Sequence, residues 1–342
     1  MDSCKNRVLV VGGIPEPVGG VTSFVFRLAE NNMVTKVADL YPSKSKVAPC
    51  NFDGQLFYYK GLMSFLFALM FSRKLLAGVT DVHFNFSRSR SLIFFLIPFL
   101  KKGRRFHLTL HHGVLDRKYP SFLFKYLLSK IDIIYCLSEK QFSFYQDDFL
   151  AGNAKLKFSS SYVPIPRPSS VFSVKEIDEF VGEDEFVVAS GNCTKIYNHD
   201  WIVRLFNEIE LDDKLVIFLY GAIDGEYLCL LQRLGAANAR IKLMFNVRQE
   251  TFGLYLSRAK LYIRANSVDS FGIAVADAVS YGVTVMASDV CNRYPGSYLF
   301  KAVNYESFVD AYLLLRNNPA NLSLQSGNSL NFSYHFGRCR EH

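Results

Sequence analysis

The chain has 342 residues, half of them apolar and a fifth charged, which is enough for two domains with separate cores and argues against a mainly disordered polypeptide. Its net charge of +8 is unevenly held: up to Pro166 there are 22 Lys and Arg against 11 Asp and Glu, whereas the remainder carries a net −3. Seven cysteines lie far apart with no Cys-x-x-Cys pair, so neither a zinc site nor a disulfide framework is expected.

The opening, Met1 to Val11, sets Lys5 and Arg7 before a short apolar run ending at Gly12 and Gly13; it lacks the long apolar stretch of a signal peptide, and a cytoplasmic location is expected. Arg7 to Val11 predicts a strand, and Val21, Phe24, Val25 and Leu28 recur at helical spacing after Gly19 and Gly20. The loop between them, Gly12 to Gly20, lets backbone amides approach an anion, yet it is no Gly-x-Gly-x-x-Gly fingerprint, which weighs against hydride transfer. Two apolar runs follow, Leu62 to Phe71 before Arg73 and Lys74, and Leu92 to Leu100 before Lys101, Lys102, Arg104 and Arg105. Each falls well short of the roughly 20 residues a membrane span needs. They read either as core helices with basic ends or as segments lying on an anionic membrane surface. Nucleic acid is not an expected partner, because no binding module accompanies these cations.

Asp81 to Phe86, Phe106 to Leu110 and Ile131 to Leu137 predict further strands, with a helical pattern at Phe122 to Leu128. His111, in Thr109-Leu110-His111-His112-Gly113, ends one of these strands and can hydrogen-bond a hydroxyl or phosphate oxygen; its neighbour His112 must point elsewhere on an extended chain. His83 reads as a core hydrogen-bonding residue. Pro164, Pro166 and Pro168 break the pattern and read as a linker. A second series then runs through Glu185 to Ser190, Lys214 to Leu219, Ile241 to Phe245, Leu261 to Arg264 and Thr284 to Ser288. The expected class is α/β, with two doubly wound parallel sheets whose ligands collect at the carboxyl ends of strands.

The most informative stretch is Asn266 to Asp289: a loop holding Asp269, a helix opening near Ser270 to Gly272, Asp277 two turns on, a stop at Gly282, then a strand. A helix amino end favours phosphate, and the two carboxylates, separated by about 12 Å along a helix, suit a sugar and a ribose. The competing reading is a capping Asp269 and a solvated Asp277. Lys195 and Arg264, each near a strand end, are candidate cations for a departing diphosphate. The absence of an Asp-x-Asp triplet argues against a metal bridge.

Together, Pro17-Val-Gly19-Gly20-Val-Thr-Ser23, Leu108-Thr-Leu-His111-His-Gly113, Ile134-Tyr-Cys-Leu-Ser138-Glu139 and Asp269-Ser-Phe-Gly272 through Asp277 to Arg293 resemble the retaining GT-B glycosyltransferases of family 4, of the type assembling bacterial O-antigen or capsular polysaccharide. The resemblance implies two Rossmann-like domains facing across a cleft: residues 1–165 for the acceptor, 166–320 for the nucleotide sugar, and a tail, 321–342, returning to the N-terminal domain. It implies no cofactor and no metal, a nucleotide-sugar donor, most simply uridine-linked, and a polyprenyl-linked oligosaccharide acceptor at the inner face of the cytoplasmic membrane. By the same resemblance His111 touches the donor sugar and Asp269 its hydroxyls; Gly19, Gly20, Phe271 and Gly272 line the phosphates with Lys195 and Arg264, and Asp277 takes the ribose. The chain departs from the family pattern in having aspartates where paired glutamates are usual, and Asn192 where an arginine usually follows glycine. A nucleotide-sugar epimerase and an inactive partner of the same architecture are the alternatives.

Overall fold

The computed structural model describes residues 7–16, 19–41, 46, 48–96, 103–111, 115–116, 118–146, 156–159, 162–209 and 213–317. His112, Lys101, Lys102 and the expected tail, 321–342, lie outside them. Two compact units meet in sequence between Val163 and Pro164.

The first unit runs β1 (Val8–Gly12), α1 (Gly20–Glu30), β2 (Lys36–Asp39), β3 (Gln55–Tyr58), α2 (Leu62–Phe71), α3 (Arg73–Leu76), β4 (Asp81–Phe86), a 3₁₀ segment (Ser89–Leu96), β5 (Arg105–Leu110), α4 (Ser121–Ser129), β6 (Ile133–Cys136), α5 (Glu139–Gln146) and β7 (Leu156–Phe158). The strands form one parallel sheet, ordered β3-β2-β1-β4-β5-β6-β7, with Val10 beside both Val37 and His83. Buried on both faces, β1 is a continuous apolar run, as a central parallel strand requires. One face carries Leu9, Val11, Phe84, Leu108 and Ile134 against Phe65 of α2, Phe94 of the 3₁₀ segment and Phe124 of α4.

Two-residue alternation puts a polar seam on the other face. His83 Nε2 pairs with Thr109 Oγ1 at 2.8 Å. Asp81 Oδ1 lies 2.8 Å from both His107 Nε2 and Arg105 Nε. Burial lowers the pKa of both imidazoles, most strongly that of His83. A neutral His107 donates from Nε2 to Asp81, leaving Nδ1 to accept the Tyr135 hydroxyl at 3.3 Å.

The second unit runs α6 (Lys175–Val181), β8 (Phe186–Cys193), α7 (His199–Glu208), β9 (Lys214–Ile223), α8 (Gly225–Ala236), β10 (Ile241–Phe245), α9 (Gln249–Arg258), β11 (Leu261–Arg264), α10 (Ile273–Ser280), β12 (Thr284–Ser288), β13 (Ser297–Phe300) and α11 (Tyr305–Asn317). Its sheet is also parallel, ordered β10-β9-β8-β11-β12-β13. Val187 and Ala189 of β8 face one core with Ile202 of α7 and Phe308 of α11, while Phe186 and Val188 face another with Tyr255 of α9 and Val275 of α10. Helices therefore cover both faces of this sheet. Strand order reverses between β1 and β4 in the first sheet and between β8 and β11 in the second; the carboxyl ends beside such reversals are where ligands collect.

Candidate active site

In the second unit, the reversal brings the end of β8 beside the end of β11, and a buried arginine joins them. Arg264, the last residue of β11, donates from Nη1 to the Ser190 carbonyl at 3.0 Å and from Nε to Asp269 Oδ2 at 3.1 Å. A second buried arginine, Arg293, reaches the same Oδ2 from Nη1 at 2.8 Å. It also donates to the Phe271 carbonyl at 3.2 Å, from Nε to the Ser288 carbonyl at 2.9 Å, and from Nη2 to Ser288 Oγ at 3.1 Å. Asn266 Nδ2 adds a longer contact to Oδ2, and Asp269 Oδ1 accepts the Ser270 amide at 2.9 Å. Burial alone would raise the Asp269 pKa, but the Arg264 and Arg293 charges and their hydrogen bonds outweigh it and hold the carboxyl well below its ordinary range. Asp269 is thus ionised, and it anchors the loop leading into α10.

That loop ends at Gly272, whose φ of +83° is the left-handed region that disfavours a side chain. A Cβ there would lie 2.7 Å from Arg293 Nη1, so the guanidinium packs directly against the glycine. Gly272 caps α10 and offers no side-chain oxygen to the first amides of the helix, which remain suited to an anion. Asp269 does not cap the helix; it bonds the adjacent Ser270 amide instead. Asp277, the fifth residue of α10, is buried and so is not the solvated side chain of the competing reading. Phe271 is buried as well.

The chain after β8 closes over Arg264. Tyr197, in the short 3₁₀ turn Lys195–Tyr197, sets its ring 5.1 Å from the Arg264 guanidinium. The same ring occupies the space that a side chain at residue 191 would need. Ser267 donates its amide to the Ile196 carbonyl at 2.8 Å, tying this turn to the Asp269 loop. Burial pushes the Tyr197 phenol up to about 12 and, helped by Arg264, the buried His199 imidazole down to about 3. Lys195 itself is exposed.

Gly19, Gly20 and His111 belong to the first unit. Gly19 precedes α1 in extended backbone, and Gly20 opens the helix with open space where a Cβ would stand. His111 follows β5, half-buried; its amide donates to the Phe86 carbonyl at 2.8 Å, and Nε2 donates to Asn85 Oδ1 at 3.0 Å. Its ring lies 5.2 Å from that of Phe24 in α1. Lys46 reaches the carbonyls of Ile14 and Glu16 at 3.0 and 2.7 Å while paired with Asp39 at 2.8 Å, pinning the loop after β1.

Of the residues singled out in the sequence, the structure brings Arg264, Asp269, Phe271 and Gly272 into one cluster. Arg293, Tyr197 and Lys46 had been given no role there. Arg293 lies 24 residues from Asp269, and nothing in the spacing of the two announces an ion pair. Among the described residues no group of three His, Cys, Asp or Glu is placed to hold a metal ion.

Residues 173–319, a little under half of the chain, match the family model described as glycosyl transferases group 1. Among solved structures, HepE (Alr3699) of Anabaena, in complex with UDP and glucose, is 11% identical with a TM-score of 0.66, covering 92% of this chain and 90% of that one. The fold is GT-B. Sucrose-phosphate synthase from Thermosynechococcus elongatus aligns at a TM-score of 0.61 and 14% identity over 92% of this chain and 90% of its own. The apo form of the lipopolysaccharide outer core galactosyltransferase WaaB aligns at 0.58 and 12% over 92% of each. At such identities the likeness establishes the GT-B architecture alone. No curated protein sequence matches this one. The group 1 match, which spans the Arg264–Asp269–Arg293 cluster and α10, supports a glycosyltransferase.

Proposed function

We propose that this protein transfers a sugar from a nucleotide sugar, uridine-linked, to a hydroxyl of a growing O-antigen or capsular oligosaccharide with retention of configuration. The acceptor is carried on a polyprenyl lipid, and the protein works from the inner face of the cytoplasmic membrane. One observation carries the reading: at the strand-order reversal of the second unit, an ionised Asp269 held by two buried guanidinium groups fixes the loop that presents the open amino end of α10, within the stretch that matches the glycosyl transferases group 1 model. The UDP and glucose held by HepE, one of the structural neighbours, support the choice of donor.

In this reading the diphosphate rests on the amides around Gly272. Lys195 and the charge of Arg264 offset the negative charge that develops on the leaving group. Asp277 receives the ribose. Asp269, with Oδ2 occupied by two guanidinium groups, keeps acceptor capacity on Oδ1 for a sugar hydroxyl. Attack comes from the face that the diphosphate leaves, and the leaving phosphate takes the acceptor's proton, so the protein contributes mainly position and electrostatics. No metal and no cofactor enter this scheme.

A screen of UDP-, GDP-, ADP- and dTDP-sugars for binding and slow hydrolysis, with the product anomer read by NMR, tests it. A UDP-sugar that binds and releases sugar of unchanged anomeric configuration is the expected result. Interconversion of the donor without release would point to an epimerase, and the absence of any binding to an inactive protein.

A further inference from the structure

Three segments that pack side by side on one face of the first sheet carry a second surface. Phe65 of α2 and Phe94 of the 3₁₀ segment Ser89–Leu96 meet at 5.8 Å, and both enter the same core as Phe124 of α4. Because all three segments send those residues down onto the sheet, their opposite sides face outward together. On α2 the outward positions are Met63, Phe67, Met70 and Phe71, an i, i+4, i+7, i+8 stripe, with Met63 76% and Phe67 66% exposed. The Phe67 and Phe71 rings lie against each other, tilted, with centroids 4.6 Å apart. The 3₁₀ segment adds Ile93 and Leu96, and α4 adds Phe122, 76% exposed, and Tyr126 one turn on.

Soluble surfaces rarely expose large apolar side chains in one contiguous group unless something binds there. The charges carried by the three segments themselves are of one sign, and an acid that lies against them, Asp116, is held by Ser89 Oγ and paired with Lys118. None of the three segments contains an Asp or Glu, and the single acid between Leu62 and Leu96, Asp81, is buried in the sheet. Lys74, which follows α2, and Arg90, in the 3₁₀ segment, are exposed, and Lys130 lies 4.4 Å from the Tyr126 ring. No described helix is long and apolar enough to cross a bilayer. Bulky apolar groups within a rim of cations, on segments too short to span, match the requirements of a headgroup–acyl boundary in an anionic leaflet.

We infer that the outward face of α2, the Ser89–Leu96 segment and α4 binds the surface of an anionic lipid bilayer. This deepens the membrane element of the proposed function by naming the surface, and it stands independently of nucleotide binding. Flotation of the full chain with phosphatidylcholine vesicles, with and without phosphatidylglycerol, tests it. Wild-type protein is expected to float with the anionic vesicles and to be released by high salt. The exposed double variant Phe67→Ser/Phe71→Ser is expected to lose at least about tenfold in partitioning, and the single variant Phe122→Ser to lose less, with UDP binding in solution unchanged in both. Failure of wild-type protein to float, or equal flotation of the double variant, would overturn the inference. So would a wild-type dimer that the double variant dissociates, since a second copy would then cover the face. Absence of UDP binding by wild-type protein that still floats would overturn the transferase reading and leave this surface standing.

Discussion

Asp269 is the residue on which the candidate site turns, and its surroundings are costly to disturb. Two buried guanidinium groups share one partly exposed carboxylate, so Asp269→Asn leaves two buried cations without a counter-charge. Removing one partner of a buried ion pair typically costs about 3–5 kcal/mol, and urea denaturation should show Asp269→Asn destabilised in that range. A variant as stable as wild-type would mean that water reaches the cluster. Gly272→Ala places a side chain in left-handed backbone against Arg293, and should cost at least about 1–2 kcal/mol by the same measurement. Asp277→Ala should weaken UDP binding by at least about tenfold, equivalent to about 1.4 kcal/mol, in calorimetry; unchanged affinity would remove Asp277 from the ribose.

At the level of elements, long apolar runs were legible in the sequence and short or polar strands were not. Asp81–Phe86, Leu261–Arg264 and Thr284–Ser288 fold with the bounds expected of them, because inner parallel strands are buried on both faces; Ile241–Phe245 does so too, although it is an edge strand and mostly half-buried. β2, β3, β7 and β13 went unread: three are four residues long, one is three, and β3 and β7 lie at the sheet edge with largely uncovered side chains. The helix after Asp269 starts at Ile273, slightly later than expected, because Gly272 holds left-handed backbone. Spacing gave Asp269 its place before a helix, but the pairing with Arg293 depends on tertiary contact and had no local signal. The polar seam between β4, β5 and β6 has its own consequence. His83 and His107 are buried with lowered pKa values, as is His199 at the start of α7, whereas the unfolded chain takes up protons near the ordinary 6.5. The unfolded state therefore binds more protons below that value, and stability falls as pH drops through it, for His199 down to about 3. The urea midpoint should decrease between about pH 7 and about pH 5, less so in His199→Leu. A midpoint independent of pH in wild-type protein would contradict burial of neutral imidazoles.

For the whole molecule, the charge asymmetry follows the division of the chain into two units. The first unit holds the basic surplus and the exposed apolar face; the second holds the group 1 match and the clamped loop before α10. The two-sheet plan could be read from repeated strand–helix alternation, while the side-chain cluster that shapes the candidate site could not. Hydrogen exchange of the full chain with and without UDP tests most directly whether the second unit holds the nucleotide. Slower exchange in peptides covering residues 189–199 and 265–280 is the predicted result. Unaltered exchange there, or protection confined to other segments, would contradict it.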